Sequence, residues 1–275
     1  MKKIAGISVL VIIMILLAGA ILGNRQERVQ VPDKTVSHTS DHYPTTVKTY
    51  DSENHPISMT FTEKPQRVVV HELNTLETLL VLGLGDKIVG TSVTPGSMTY
   101  KRLMQKYPDQ MQKIMIRNMQ ELNTESVLAS YPDAIIGWKS TFTAALKRNT
   151  QWWNDRGVKT YVAATSNHIL NYGTIEDECQ YLADMGNIFD MEDMTNQLID
   201  EIHQEIQATR EAVKGKPKQK VMVIEMSGRG AFMNYDEGWL VGDMVTSLGG
   251  YMPVKERRAV SYTHLRAHET LSDLV

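Results

Sequence analysis

Several polar and aromatic side chains in this sequence stand where a predicted strand ends. His71 and Glu72 follow the apolar run Val68–Val70, Thr91 follows residues 88–90, and Trp138 and Lys139 follow Ala134–Gly137. In open α/β sheets, ligands bind beside the carboxyl ends of the strands. The sequence therefore predicts a ligand-binding site at these positions.

The residue types indicate which chemistry this site could have. The aromatic face of Trp138 suits a flat or conjugated molecule. Lys139, together with Arg229 from later in the chain, could meet the negative charge of an anionic ligand. His71 could ligate a metal ion. Tyr235 is a further predicted ligand contact in the second half of the chain.

Each of these residues also has a simpler interpretation. Trp138 could close the rim of the domain without touching a ligand. Lys139 and Arg229 could be solvated surface charges, and His71 could be held by structural hydrogen bonds. The sequence leaves these alternatives open.

The motifs typical of enzymes are missing from the sequence. There is no GxSxG elbow, no P-loop and no HExxH pair. Gly83 and Gly85 follow a predicted helix instead of a strand, so they indicate a helix end and a turn, and no dinucleotide site. The single cysteine, Cys179, excludes a disulfide within the chain and fits a small core residue. We therefore expect a protein that is not an enzyme and has no cofactor.

The overall composition excludes other classes of partner. The 275 residues are 42% hydrophobic and 22% charged, with a formal net charge of −3. That is globular composition with enough apolar material for one large or two medium cores. Because no long basic run occurs, we expect no nucleic-acid binding.

The elements that would position the site alternate between strand and helix. A hairpin is predicted over residues 47–61, and strands are predicted at Val68–Val70, 88–90, Ala134–Gly137 and 160–163. Helices are predicted between them, one of them over 121–129. Alternation at this spacing predicts a parallel sheet with crossover helices.

A long amphipathic helix is predicted over residues 190–215. Its apolar stripe begins at Met194 and returns every three or four residues, and Gly215 and Pro217 end it. Such a helix would be a stiff connector between two lobes. The predicted fold is therefore α/β, with parallel-sheet lobes over 46–189 and 216–260 joined by this helix, the second lobe being incomplete.

The first 45 residues indicate export. Lys2 and Lys3 precede a twenty-residue apolar run, so 1–23 is predicted to be a signal peptide or a membrane anchor. Ala20 stands where a lipoprotein box would have its acylated cysteine. Residues 24–45 are predicted to form a flexible tether, and His42 within it is interpreted as a solvated side chain.

An ordered set of segments resembles the substrate-binding proteins of ABC importers for ferric siderophores, cobalamin and heme. The matching segments are residues 64–70, 77–90, 122–128 and 131–137, followed by the long helix, the strand at 220–224 and Leu248-Gly249-Gly250. The resemblance implies two α/β lobes joined by a rigid helix, with the ligand in the cleft between them. It also implies that the protein is extracytoplasmic and delivers its ligand to a membrane permease driven by an ATPase.

Further expectations follow from this resemblance. Family members present one carboxylate per lobe to the permease, and Glu125 matches that position in the first lobe. Glu121 is close enough in the sequence to compete for this role, and Glu125 could also be an ordinary solvated carboxylate. An iron–siderophore complex is the expected ligand, with cobalamin or heme as the alternative. We expect a monomer that contacts the membrane through its N-terminal segment. A membrane-tethered ligand sensor is the alternative from another class.

The pattern of the resemblance ends after Gly250. Residues 261–270 resemble read-through of a sequencing adapter, so 261–275 is predicted to be a non-native tail. The residues before it are fewer than a complete second lobe would need.

Overall fold

The computed structural model describes residues 42–114, 122–166, 169–170, 173–226 and 232–253. The predicted signal peptide or anchor, most of the tether, Arg229 and the predicted non-native tail lie outside these residues. The chain divides into two compact units. The N-terminal unit comprises the described residues of His38–Leu170 and Glu176–Ile199, and the C-terminal unit those of 171–175 and 200–253.

A four-stranded parallel sheet organises the N-terminal unit. Its strands are β3 (Val68–Val70), β4 (Ile88–Thr91), β5 (Ala134–Gly137) and β6 (Lys159–Val162), in the order β4-β3-β5-β6. All three pairings are parallel. The prediction of a parallel sheet is confirmed for this unit. Short, nearly continuous apolar runs are expected of strands that are covered on both faces.

Alternate strand residues enter two different hydrophobic clusters. Val68 and Val70 belong to one cluster, whereas Val69 belongs to the other. The first cluster is covered by α1 (Leu73–Val81), α2 (Met98–Lys106), α3 (Pro108–Met111) and α6 (Ile175–Phe189). The second is covered by α4 (Thr124–Ala129), a π-helical turn (Thr141–Ala145) and α5 (Thr150–Asn154). The sheet is therefore a central layer between helices.

Local capping moves several boundaries from where the sequence predicted them. Helix α4 begins at Thr124, because the Asn123 side chain accepts from the Ser126 backbone N–H in a reciprocal capping box. The helix predicted around Leu146 and Trp153 is divided at Lys147, whose φ of 50° is not helical. Gly83 has a φ of 76°, which confirms its interpretation as a helix end.

The predicted hairpin is present as β1 (Thr45–Tyr50) and β2 (Pro56–Phe61), which pair antiparallel. Its first strand is tied to the parallel sheet, because the Thr49 hydroxyl donates to the Val162 carbonyl at 3.0 Å and accepts from the Val162 N–H at 2.8 Å. A short strand pair gains stability from such anchoring.

The long helix is continuous as α7 (Glu192–Val213), two residues shorter at each end than predicted. Met194 was expected to begin the buried stripe, but it is 37% exposed and Thr195 is fully buried in its place. The reason is a close approach of α6 and α7: a Cβ on Gly186 would lie 2.2 Å from the Thr195 hydroxyl. A small side chain fits that contact and a methionine does not.

In the C-terminal unit, the strands pair differently from the prediction. Strands β7 (Ile224–Met226) and β8 (Phe232–Asn234) form an antiparallel pair. Among the described residues of this unit, parallel pairing is limited to the bridge between Lys220 and Tyr251. A parallel sheet was expected here, and this difference arises because β8 follows β7 after a short connection, which favours antiparallel pairing. Helix α8 (Leu240–Ser247) packs Val241 and Val245 into a small core with Val223 and Met252.

Candidate functional site

The carboxyl ends of β3 and β5 bring the predicted site residues of the N-terminal unit together. These strands are neighbours, with Val70 paired to Ile136. His71 and Glu72 follow β3, and Trp138 and Lys139 follow β5. Parallel neighbours place the residues after both strands at one edge of the sheet.

Glu72 is the hub of the polar contacts at this edge. His71 Nδ1 lies 2.7 Å from Glu72 Oε1, and both side chains are about one-fifth exposed. The hydroxyls of Ser140 and Thr141 donate to the same oxygen over 3.4 and 3.5 Å. The carboxylate therefore joins the loop after β3 to the loop after β5. Ser140 and Thr141 were not predicted as part of the site, because nothing local in their sequence shows that they lie near Glu72.

The structural interpretation of His71 is supported in part. One ring nitrogen is held by Glu72, and the backbone carbonyl of His71 accepts from the Ser92 hydroxyl. The other nitrogen, Nε2, has no hydrogen-bond partner within the described part of the chain. A histidine oriented by a carboxylate through one nitrogen can donate to, or ligate, a bound group with the other.

Trp138 combines features of both interpretations made from the sequence. Its ring is partly buried and packs against the first hydrophobic cluster. Its backbone N–H donates to the Thr141 hydroxyl at 3.0 Å, which fixes the start of the loop. The indole Nε1–H is buried and has no hydrogen-bond partner among the residues that the structure describes. An unpaired buried donor is uncommon and costs free energy until an acceptor reaches it.

Lys139 follows Trp138 directly in the sequence and carries a positive charge. Its backbone N–H donates to the Ser166 hydroxyl at 3.3 Å, and its carbonyl accepts from the Thr143 hydroxyl at 3.1 Å. Among the described residues, no carboxylate lies within 4 Å of its ammonium group. The ammonium is therefore available to an anion.

The remaining predicted contacts are in different surroundings. Thr91 is only 4% exposed and lies within the sheet, so it does not join the group around Glu72. In the C-terminal unit, the Tyr235 hydroxyl donates to Glu225 Oε2 at 2.5 Å, and the Tyr235 ring packs edge-on against Trp239 at 5.3 Å. Burial and the adjacent Glu225 raise the pKa of Tyr235. Arg229 lies outside the described residues.

Glu125, the predicted docking residue, is on the exposed side of α4. It stands in the first turn of the helix, where the positive end of the helix dipole favours a carboxylate. Two large side chains near it in sequence are also exposed, Leu128 at 41% and Tyr131 at 77%. Exposed apolar side chains beside a charge are typical of a contact surface.

A separate cavity of about 530 Å³ in the N-terminal unit contains none of the predicted site residues. It lies beside β1 and includes a buried polar group that the sequence analysis missed. The Tyr161 hydroxyl donates to Asp184 Oδ2 at 2.7 Å, and the Gln180 amide donates to Asp184 Oδ1 at 2.9 Å. Burial raises the pKa of Asp184, and the two hydrogen bonds lower it less than burial raises it.

This raised pKa predicts a pH-dependent stability. The folded protein keeps the Asp184 proton to a higher pH than the unfolded chain, so the contribution is complete below about pH 4 and is lost as the pH rises through the folded-state pKa. We expect the unfolding free energy of the native protein to fall relative to Asp184→Asn as the pH increases from 4 to 7. Urea unfolding of both proteins across that range measures it. A difference that does not vary with pH would contradict the prediction.

The comparisons with known proteins agree with this architecture. The family described as periplasmic binding protein matches residues 68–267. Over 245 residues the chain is 24% identical to an uncharacterized ABC transporter substrate-binding lipoprotein, YvrC, of Bacillus subtilis, covering 85% of this chain and 70% of that protein. Within the described residues, no helix combines the length and the apolar character needed to cross a membrane.

Solved structures show the same fold. A periplasmic binding protein from Veillonella parvula is 30% identical, with a TM-score of 0.69 over 80% of this chain and 68% of that one. A petrobactin-binding protein from Bacillus subtilis is 18% identical, with a TM-score of 0.54 over 79% of this chain and 70% of that one.

Proposed function

Because the chain belongs to the periplasmic binding protein family, we propose that it captures an anionic metal chelate, of the ferric-siderophore type, for an ABC importer. This family consists of transport components rather than enzymes. The petrobactin-binding relative is named for a ligand of this class, and the lipoprotein relative is named as an ABC transporter component. An extracytoplasmic location and delivery to a permease and its ATPase are parts of the same proposal.

The observation that carries the proposal is the buried indole Nε1–H of Trp138, which has no hydrogen-bond partner among the described residues. Lys139 follows it directly in the sequence, and no carboxylate of the described residues lies within 4 Å of the Lys139 ammonium group. The indole offers an aromatic face and a donor that has no acceptor in the described part of the chain. The ammonium offers a positive charge without a counterion in the described residues. A conjugated, negatively charged chelate could stack on the aromatic face, accept from the indole N–H and pair with the ammonium group.

His71 and Glu72 would complete the contacts of this unit. Glu72 already accepts three side-chain contacts at one oxygen, so its main role would be to fix the loops. His71 Nε2 would then be the ring atom that contacts the ligand. Arg229 and Tyr235 stay predicted contacts from the C-terminal unit.

Tryptophan fluorescence of the full chain tests the proposal. We expect saturable quenching by one class among ferric catecholate, ferric hydroxamate and ferric carboxylate siderophores, and much weaker quenching by the iron-free chelators. Heme and cobalamin belong in the same titration series as the alternative ligands. Quenching by none of these would overturn the proposal of a chelate ligand. Binding of heme or cobalamin alone would replace the ferric siderophore as the ligand.

A Glu125 variant can distinguish a ligand sensor from an importer component, because only the importer component needs to dock on a permease. If the carboxylate docks on a permease, Glu125→Ala should leave ligand affinity unchanged and lower chelate uptake by cells about tenfold, because an interface charge can contribute about 1.4 kcal/mol or more. Uptake of radiolabelled iron chelate by cells carrying the cognate permease is the measurement.

The matched control for this experiment is Glu63→Ala, which removes another exposed carboxylate of the N-terminal unit. Its uptake should equal that of the native protein. Equal uptake by both variants and the native protein would exclude Glu125 as a docking residue.

A further inference from the structure

His42 is held against the end of α6, although the sequence indicated a solvated tether residue. Its Nε2 donates to the Asn187 carbonyl at 2.6 Å, and the hydroxyl of the adjacent Tyr43 donates to the Ile188 carbonyl at 2.8 Å. Both acceptors lie in the last turn of a helix, where carbonyls have no partner within the helix. The sequence could not predict these contacts, because the partners are 145 residues away along the chain.

The other nitrogen of His42 faces two carboxylates. Nδ1 lies 3.1 Å from Glu192 Oε1 and 3.5 Å from Asp190 Oδ1, and the histidine side chain is only 15% exposed. Within the described residues, only the contact from Nε2 has the geometry of a directed hydrogen bond for this ring. Because Nε2 donates to the Asn187 carbonyl, Nδ1 is the ring atom that faces both carboxylates. A nitrogen and two carboxylate oxygens therefore converge on one point from three side chains.

Asp190 stands at an unusual backbone position beside His42. It has a φ of 52°, and the next residue, Met191, donates its N–H to the Gly186 carbonyl at 2.9 Å, which is the Schellman ending of α6. Glycine or asparagine is usual at this left-handed position. A ligand role for the carboxylate would explain an aspartate here.

We propose that His42, Asp190 and Glu192 bind a divalent transition-metal ion, for which Zn²⁺ is the best match. Imidazole and carboxylate are ligands of zinc, with bonds of about 2.0–2.2 Å. In a tetrahedral site, ligand atoms at such distances are about 3.3–3.6 Å apart. The two distances from Nδ1 are close to this value, and the three ligand atoms lie within 4.8 Å of one another.

The surroundings of the ring match those of a zinc ligand. A metal-bound histidine commonly donates its second N–H to a carbonyl, which fixes its tautomer and orientation. Here the Asn187 carbonyl has that position. The Asp190 and Glu192 side chains are 42% and 36% exposed, which leaves room for water as a fourth ligand.

The ion would join the first described residue of the N-terminal unit to the connection between α6 and α7. It is a resident ion that is independent of the transported ligand and of the site around Glu72. Because it binds the folded chain, it should raise the unfolding temperature according to mass action.

The test uses the full chain after EDTA treatment and dialysis. Zn²⁺ titrations by calorimetry should show one more equivalent bound by the native protein than by His42→Ala. At a free Zn²⁺ concentration a hundred times the Kd, the Tm should rise by about 5 °C or more. Glu192→Gln should weaken this binding at least about tenfold.

The Asp190→Gly variant tests whether these three side chains form a metal site or only an ion pair. Glycine suits the left-handed position, so this variant should be at least as stable as the native protein without metal, yet it should lose the Zn²⁺-dependent rise in Tm. The control is His55→Ala, because His55 contacts a single carboxylate, Asp51, at 2.9 Å and has no third ligand within the described ranges. It should keep the full rise. An equal rise in the native protein and in Asp190→Gly, or no rise in the native protein, would overturn the proposal.

Discussion

Replacement of Trp138 by alanine is expected to weaken chelate binding about 10- to 100-fold. The substitution removes both the aromatic face and the buried Nε1–H, for which the described residues provide no acceptor. Loss of a central aromatic contact typically costs about 1.4–2.7 kcal/mol in binding, which corresponds to this range. Isothermal titration of the full chain with the ligand identified by fluorescence is the measurement.

Two further variants make this result specific. Trp138→Phe keeps the aromatic face and removes the N–H, so affinity near that of the native protein would assign the effect to stacking, and a loss equal to that of alanine would assign it to the hydrogen bond. Trp152→Ala removes a tryptophan on α5, which Arg156 covers at 3.7 Å, and should not change the affinity. Native affinity in Trp138→Ala would show that the indole only closes the rim of the unit.

The neighbouring tryptophan, Trp153, is expected to give the largest loss of stability. Its side chain is completely buried in the second hydrophobic cluster, together with Val69, Ile135 and Val162 of the sheet. Truncation of such a residue to alanine removes its transfer free energy and leaves a cavity, at a cost of about 3–5 kcal/mol. Because a domain has only about 5–15 kcal/mol of stability, Trp153→Ala should remain folded only marginally.

Trp152→Ala is the matched control for this prediction as well. The two rings pack edge-on, 4.9 Å apart, but Trp152 is only partly buried and contacts the guanidinium groups of Arg148 and Arg156. Its removal should cost about 1 kcal/mol. Urea unfolding of both variants gives the comparison. Equal losses in the two variants would contradict the burial argument.

Hydrogen bonds at the edge of the sheet indicate that the proposed site can bind its ligand without a large rearrangement of the loops. Glu72 is contacted by His71 and by two hydroxyls of the loop after β5. Thr141 also accepts the N–H of Trp138. These contacts fix the loops before any ligand is present, which lowers the entropy lost on binding.

The sequence by itself determined the strands of the parallel sheet, most of the helices between them and the order in which they occur, but it did not predict α2 and α3. Val68–Val70 and Ala134–Gly137 are apolar runs bounded by polar residues, and helices with a 3.6-residue period separate the strands. Such patterns are local, because each residue's contribution depends on neighbours only a few positions away. For the same reason, the sequence correctly predicted that His71, Glu72, Trp138 and Lys139 follow strands.

Tertiary packing decided which of these residues meet and which are buried. Ser140 and Thr141 contact Glu72 from about 70 residues away, and His42 contacts Asn187 from 145 residues away. Thr91 is buried although it follows a predicted strand, and Thr195 replaces Met194 in the core because α6 and α7 approach closely at Gly186. These outcomes depend on how far apart whole helices and strands lie and on their register. The periodicity of a single segment contains no information about either.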